Sequence, residues 1–221
     1  MTTDASIIAS RAASRRAGIR PPKFADKFAL LDFDAEPMPV ISMFEPPLPY
    51  ALDDVSVLVR GEDLRPRSLG WPELSAPPIV ELEAPMICQI FNWYEMANWR
   101  GVRLCDLLDA HNLETHAEGF YVFHSHDGQY FEVLSRDEAR DPRTLLAFEL
   151  NGAGLTHEYG GPLRLVVPFL QGYKSVKWVA SIQAFRHDPA GIKRLLGQSK
   201  VGSLGQAWLE RFGIESAAAP P

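Results

Sequence analysis

Cysteine is nearly absent. The 221-residue chain holds two, Cys88 and Cys105, too few for a disulfide framework and read here as two free thiols. Positive charge is not in excess either: 22 Lys and Arg stand against 28 Asp and Glu, for a formal net charge of −6. Nucleic-acid binding needs clustered cations to neutralise phosphates, and no basic stripe occurs, so that class is set aside. No run reaches the roughly 18–20 apolar residues that a membrane-spanning helix requires. Arg15-Arg16 is a twin arginine, but Pro21, Pro22, Lys23 and Asp26 follow where an export signal would be apolar. The expectation is a cytoplasmic protein, with a periplasmic location left open. A Gly-rich dinucleotide fingerprint, a P-loop spacing and a serine nucleophile elbow are also missing.

What is present is an ordinary globular composition, 46% hydrophobic and 23% charged, long enough to bury a substantial core. Three regions are expected. Residues 1–50 form an extended Pro-rich arm, broken by Pro21-Pro22, Pro37, Pro39, Pro46-Pro47 and Pro49. Residues 51–187 form the main domain, and residues 188–221 a C-terminal helical extension and tail.

Within the domain, Val55–Val59 and Ile79–Glu83 read as strands, the second from its apolar–charged alternation. Gly61 to Trp71 reads as a polar turn region. The apolar stripe Val102, Leu104, Cys105, Leu107 and Leu108 predicts a helix over 101–113. Phe120–Phe123 and Tyr130–Leu134 form a hairpin around Asp127-Gly128, and Ser135 with Glu138 makes a capping box. Leu145–Leu150 leaves through Asn151-Gly152, and Leu163–Pro168 and Val176–Phe185 complete the strands. Strands dominate without regular strand–helix alternation, which predicts an α+β fold of mixed β-sheets with short helices.

Few residues carry obvious chemistry. Cys88 follows a strand and precedes Phe91, Trp93, Tyr94 and Trp99; it is either a soft ligand for a redox metal or a buried small hydrophobe. Cys105, on the apolar helix stripe, reads as core. Arg164 interrupts an apolar strand, so it either faces solvent or is buried with an anionic partner, because an unpaired buried charge is prohibitive. Gly172-Tyr173-Lys174-Ser175 offers backbone amides and a point charge to an anion. His124 and His126 share a strand face and, with His157, offer a zinc reading, but the hydrolase spacing fails and two half-exposed histidines is the better account.

Taken in order, these segments resemble the sulfite oxidase family. Met86-Ile87-Cys88, Asn92-Trp93 and Asn98-Trp99-Arg100-Gly101-Val102-Arg103-Leu104 resemble the signature around its molybdenum-ligating cysteine. Leu145 to Gly152 is similar to its Leu-Ala-Tyr-Glu-x-Asn-Gly segment. Gly160 to Pro168 and Gly172 to Trp178 are similar to its pterin-phosphate segment. The resemblance spans roughly residues 50–187 and implies the sulfite-oxidase molybdopterin-binding fold and an oxidoreductase that moves an oxygen atom to or from a small sulfur-containing or sulfoxide-type substrate.

Carried over by position, it implies that Cys88 is the catalytic cysteine and single protein ligand to molybdenum. Arg164 and Lys174 would neutralise the pterin phosphate, with the amides of Gly172 and Tyr173. Ser125 would stand where a hydroxyl contacts the cofactor, and Tyr159 where the family places a histidine. There are departures: Met43-Phe44-Glu45 replaces an Arg-Asn-His segment, and residues 188–221 contain no tyrosine, which favours a reductase-type over a sulfite-type substrate. No haem-binding His-Pro-Gly-Gly segment is present, so the resemblance implies molybdopterin without haem and an external electron partner, such as a cytochrome or a haem membrane subunit. No dimerisation domain is recognised, and a monomer is expected. The rival reading is a non-catalytic molybdopterin-binding or partner-binding module.

Overall fold

A computed structural model of the chain describes residues 43–61, 64–88, 93–113, 119–199 and 201–215. Most of the proposed arm (1–42), Phe91 and Asn92 of the signature and the tail beyond 215 lie outside these residues.

The strands are β1 (Ser56–Gly61), β2 (Arg67–Gly70), β3 (Ile79–Cys88), β4 (Trp93–Arg103), β5 (Phe120–Ser125), β6 (Phe131–Ser135), β7 (Leu145–Leu150), β8 (Ala153–Gly154), β9 (Arg164–Val166) and β10 (Val179–Phe185). The helices are α1 (Trp71–Leu74), α2 (Leu104–Ala110), α3 (Arg136–Arg140), α4 (Ile192–Leu195) and α5 (Gln206–Phe212). Two sheets result. One runs β2-β1-β10-β5-β6; the other runs β3-β4-β7-β8, with β9 also on β7. Among the described residues, only β1 with β10 is parallel. The expected α+β class is what forms: mixed sheets with helices of no more than seven residues.

The main core lies where the inward faces of the sheets meet α2. Val57, Val59, Leu104, Leu107, Leu108, Tyr121, Phe123, Leu146, Leu165 and Ile182 are among its members. The hairpin is built as its sequence demands. Asp127 Oδ1 accepts from the amides of Gln129 and Tyr130, and Ser135 and Glu138 close the capping box at 3.2 and 2.7 Å.

Two segments differ from expectation. The polar stretch 61–71 contains β2, which pairs with β1 through Val57↔Leu69; its one buried residue, Leu69, carries too little periodicity to announce a strand. The helix expected from 101 begins at 104, because residues 93–103 are a central strand paired on one side with β3 and on the other with β7. Hydrogen bonds on both edges override the helical spacing of Val102 with the residues after it. Cys105, expected in the core, is half-buried beside Asp106 Oδ1 at 3.6 Å, since the true stripe is Leu104, Leu107 and Leu108.

Candidate functional site

β3 carries Cys88 at its last residue, paired with Trp93. Successive side chains on a strand alternate faces, so Met86 lies on the same face, roughly 7 Å away. Arg164 reaches that face from β9: its Nη2 stands 3.7 Å from Met86 Sδ. Its Nη1 donates to the carbonyl of Tyr159 at 2.9 Å, and its guanidinium lies 5.6 Å from the Trp99 ring centroid. Arg164 is 4% exposed, and its Nε has no hydrogen-bond partner. Among the described residues it makes no ion pair. Burial drives its pKa from 12.5 to about 10, against weaker support from the phenols of Tyr130 and Tyr159 and from Glu95.

A second cation faces it. Leu165 N donates to Val176 O and Val179 N to Leu163 O, so 163–165 and 176–179 run side by side and bring Lys177 opposite Arg164. Burial, then repulsion by Arg164, lowers the Lys177 ammonium from 10.5 to about 7. Its only described hydrogen bond goes to the carbonyl of Glu158 at 2.7 Å. Trp178 fixes this turn at φ 50°, a left-handed conformation uncommon for a bulky residue. Its indole donates to His157 O at 2.9 Å and its amide to Gly160 O at 3.0 Å. A buried guanidinium beside a half-buried ammonium, neither in an ion pair among the described residues, forms an arrangement that an anion would complete.

The remaining expected residues fall around this pair, with one exception. Ser125 is buried at the end of β5, opposite Val179, and its Oγ accepts from Asp127 N at 3.3 Å. Tyr159 is half-buried and lends its carbonyl to Arg164. Gly172 and Tyr173 open a 3-10 turn over 172–174, whose first amides have no partner within the turn. That turn lies so close to β3 that a Cβ on Gly172 would stand 2.9 Å from Ile87 O and 3.3 Å from Met86 Sδ. Tyr173 accepts from Tyr130 Oη at its carbonyl, 2.6 Å away.

Lys174 is the exception. Its Nζ is 3.0 Å from Glu132 Oε2 and 2.8 Å from Val133 O, with both ion-pair side chains almost fully buried. Its charge is already committed to β6. Lys174→Met would leave the Glu132 carboxylate buried and unpaired, and is expected to cost about 3–5 kcal/mol of stability; chemical denaturation of wild type and variant measures it.

Sequence reading missed Lys177, Glu95 and Tyr130 as neighbours of the site, while Trp99 stood in the aromatic run noted after Cys88. Lys177 stood inside the quoted Gly172–Trp178 segment, three residues beyond Lys174, and only the pairing with 163–165 tells the two lysines apart. Trp99 is 1% exposed with an unpaired indole N–H. Glu95, buried opposite Met86, was visible as a lone charge within an aromatic run. The zinc reading finds no support: among the described residues, no group of three His, Cys, Asp or Glu is placed to hold a metal. His124 stacks on Phe131, His126 packs on Tyr50 and His157 on Trp178.

Known proteins resemble this chain in sequence and fold. The chain matches the oxidoreductase molybdopterin binding domain over residues 45–193. It is 33% identical over 127 residues to the uncharacterized oxidoreductase YuiH of Bacillus subtilis, covering 57% of this chain and 63% of that one. It is 32% identical to the protein-methionine-sulfoxide reductase catalytic subunit MsrP of Gluconobacter oxydans, covering 65% of this chain and 49% of that one. The MsrP of Xanthomonas campestris pv. campestris is 34% identical, over 61% and 46%. The chain thus spans between about half and two thirds of these relatives' lengths. The crystal structure of the sulfane dehydrogenase SoxCD from Paracoccus pantotrophus shares the fold, with TM-score 0.55 and 21% identity over 63% of this chain and 40% of that one. No helix among the described residues is long and apolar enough to cross a membrane. With two thirds of its length matched, this chain belongs to the family of oxidoreductase molybdopterin-binding domains, of sulfite oxidase type.

Proposed function

We propose that the chain is a molybdenum-cofactor-dependent oxidoreductase that transfers an oxygen atom to or from a small sulfur-containing or sulfoxide-type substrate, drawing on an external redox partner. The observation that carries this is the Arg164–Lys177 pair, one buried and one half-buried cation, neither in an ion pair among the described residues, with Arg164 on the face of β3 that ends in Cys88. Residues 51–187 would hold the site and 188–215 flank it. Two of the relatives are named as catalytic subunits of protein-methionine-sulfoxide reductase. That supports sulfoxide reduction and a separate electron-delivering subunit, such as a haem protein.

The residues fit the cofactor. Cys88 would give the one protein thiolate to molybdenum, a soft donor for a redox metal. Arg164 would hold the pterin phosphate in a charge-assisted fork, its unpaired Nε included. Lys177 takes the place first assigned to Lys174 as the second cation. The amides of Gly172 and Tyr173 and the hydroxyl of Ser125 would contribute neutral donors. When bound, the cofactor supplies the two-electron oxygen-atom chemistry; the chain supplies position and electrostatics.

Metal analysis with electron paramagnetic resonance of the purified full chain tests the reading. Stoichiometric molybdenum whose signal responds to sulfite or a sulfoxide is expected. Protein loaded with molybdenum but without redox response would make it a binding module instead, and protein that takes up no molybdenum would refute the reading.

The lysine adds a pH signature. Without a bound anion, folded Lys177 loses its proton near pH 7, whereas the unfolded chain keeps it to about pH 10.4. Between those values the unfolded state binds more protons, so this group makes stability rise with pH from neutrality upward. Melting temperature of cofactor-free protein is expected to climb from pH 6 to 9, and Lys177→Met to flatten the climb. A variant with the wild-type slope would remove Lys177 as its source.

A further inference from the structure

One loop of the C-terminal extension combines local positive charge with exposed leucines. Residues 186–201 hold four Lys or Arg (Arg186, Lys193, Arg194, Lys200) against one acid, Asp188. That is a net of +3 within a chain of −6, so the other residues together carry −9. Three large apolar side chains of the same stretch face outward: Leu195 is 64% exposed, Leu196 56% and Val201 48%. Single exposed leucines are ordinary, but consecutive ones bordered by cations mark an interaction surface.

Tertiary contacts hold this loop out. At its entry, Lys193 N donates to Glu132 Oε1 at 3.0 Å, and Glu132 is itself fixed by Lys174 Nζ. α4 ends at Leu195, and Gly197 reverses the chain at φ 84° with its amide on Arg194 O. Gln198 N donates back to Lys193 O at 2.9 Å, closing the turn that contains both leucines. At the exit, Ser199 O accepts from Tyr173 Oη at 2.6 Å, Gly202 O accepts from Gln171 N at 2.8 Å, and Ser203 bridges to Leu170. A Cβ on Gly202 would stand 3.0 Å from Lys174 Cε and from Tyr173 Oη, so the exit lies directly on the body. With both ends tied, the backbone keeps Leu195 and Leu196 outward.

Shape and charge select the partner. Leu195 and Leu196 are consecutive and project from a turn, and a protein partner needs a matched pocket for such side chains. The fluid boundary of a bilayer accepts them without one, while its headgroup phosphates meet the flanking cations. Arg194 stands 3.7 Å from Asp188 yet keeps nearly half of its side chain in solvent. The acidic remainder of the chain is repelled by an anionic surface, which turns this loop toward it.

We propose that the loop around Leu195-Leu196 docks the protein peripherally on anionic phospholipid membranes, the leucines entering the acyl boundary and Lys193 and Arg194 meeting headgroup phosphates. This goes beyond the molybdenum reading and stands without it. The same extension packs Leu204 and Trp208 on Ile87 and Tyr94, next to the Cys88↔Trp93 pair.

Co-sedimentation of the full chain with vesicles tests the proposal. Vesicles of phosphatidylglycerol and phosphatidylcholine in equal parts are expected to bind it at least about tenfold more tightly than pure phosphatidylcholine, a difference that high salt removes. Leu195→Asn combined with Leu196→Asn is expected to weaken binding to the mixed vesicles about tenfold, and Arg194→Gln about fivefold. Both leucines are exposed, so the double variant keeps the wild-type melting temperature. Leu58→Asn, at an exposed apolar position of β1, keeps full binding. A chain that ignores the mixed vesicles, or a double variant that binds them like wild type, overturns the proposal. Should light scattering show a dimer that the double variant dissolves, the leucines face a second copy of the chain, and the proposal fails as well.

Discussion

Arg164→Met is expected to strip the cofactor from the protein while leaving the chain folded and at least as heat-stable as before. Arg164 is 4% exposed, carries an Nε with no partner and, among the described residues, makes no ion pair. In cofactor-free protein its charge is therefore a cost, borne against the carbonyl of Tyr159, the face of Trp99 and the sulfur of Met86. Methionine fills a similar apolar stem without the charge. Replacing uncompensated buried charge by a hydrophobe is commonly neutral or stabilising. The bound state has the opposite balance. Losing a buried, charge-assisted contact to a phosphate costs about 2–5 kcal/mol, or about 30-fold to several-thousand-fold in affinity. Pterin and molybdenum content, measured beside the melting temperature, checks both halves. A variant that melts several degrees lower yet keeps its cofactor would make Arg164 a structural residue. Lys174 behaves oppositely: that buried cation has its carboxylate and is expected to matter for stability, whereas Arg164 makes no ion pair among the described residues and is expected to matter for binding.

Cys88→Ser is expected to leave the fold intact and reduce turnover by more than about 100-fold, since even residues one shell out from a metal commonly cost 10–100-fold. Cys88 is half-exposed at a strand end and packs only at the margin of the smaller core cluster, so the serine hydroxyl is tolerated there. It is a hard, weakly donating replacement for a thiolate at a redox metal. Steady-state assays, circular dichroism and the paramagnetic spectrum together read the outcome: native secondary structure, lost activity and an altered molybdenum signal. Unchanged turnover would remove Cys88 from the chemistry.

Local chemistry in the sequence determined much of this protein. The Asp127-Gly128 and Asn151-Gly152 turns, the Ser135–Glu138 capping box, the alternating strands, Cys88 at a strand end and Arg164 within an apolar strand are written in neighbouring residues. They form because turn and cap energetics are short-range. Tertiary structure decided the rest. It made residues 93–103 a central strand by pairing both its edges, overriding a helical stripe that would otherwise have extended back to Gly101. It also separated two lysines that look alike in sequence. Pairing of 163–165 with 176–179 sets Lys177 against Arg164, while Glu132, 42 positions before Lys174, draws that lysine away into the core. Whether a buried cation is compensated depends on which distant carboxylate folding brings to it, and no property of the nearby chain encodes that.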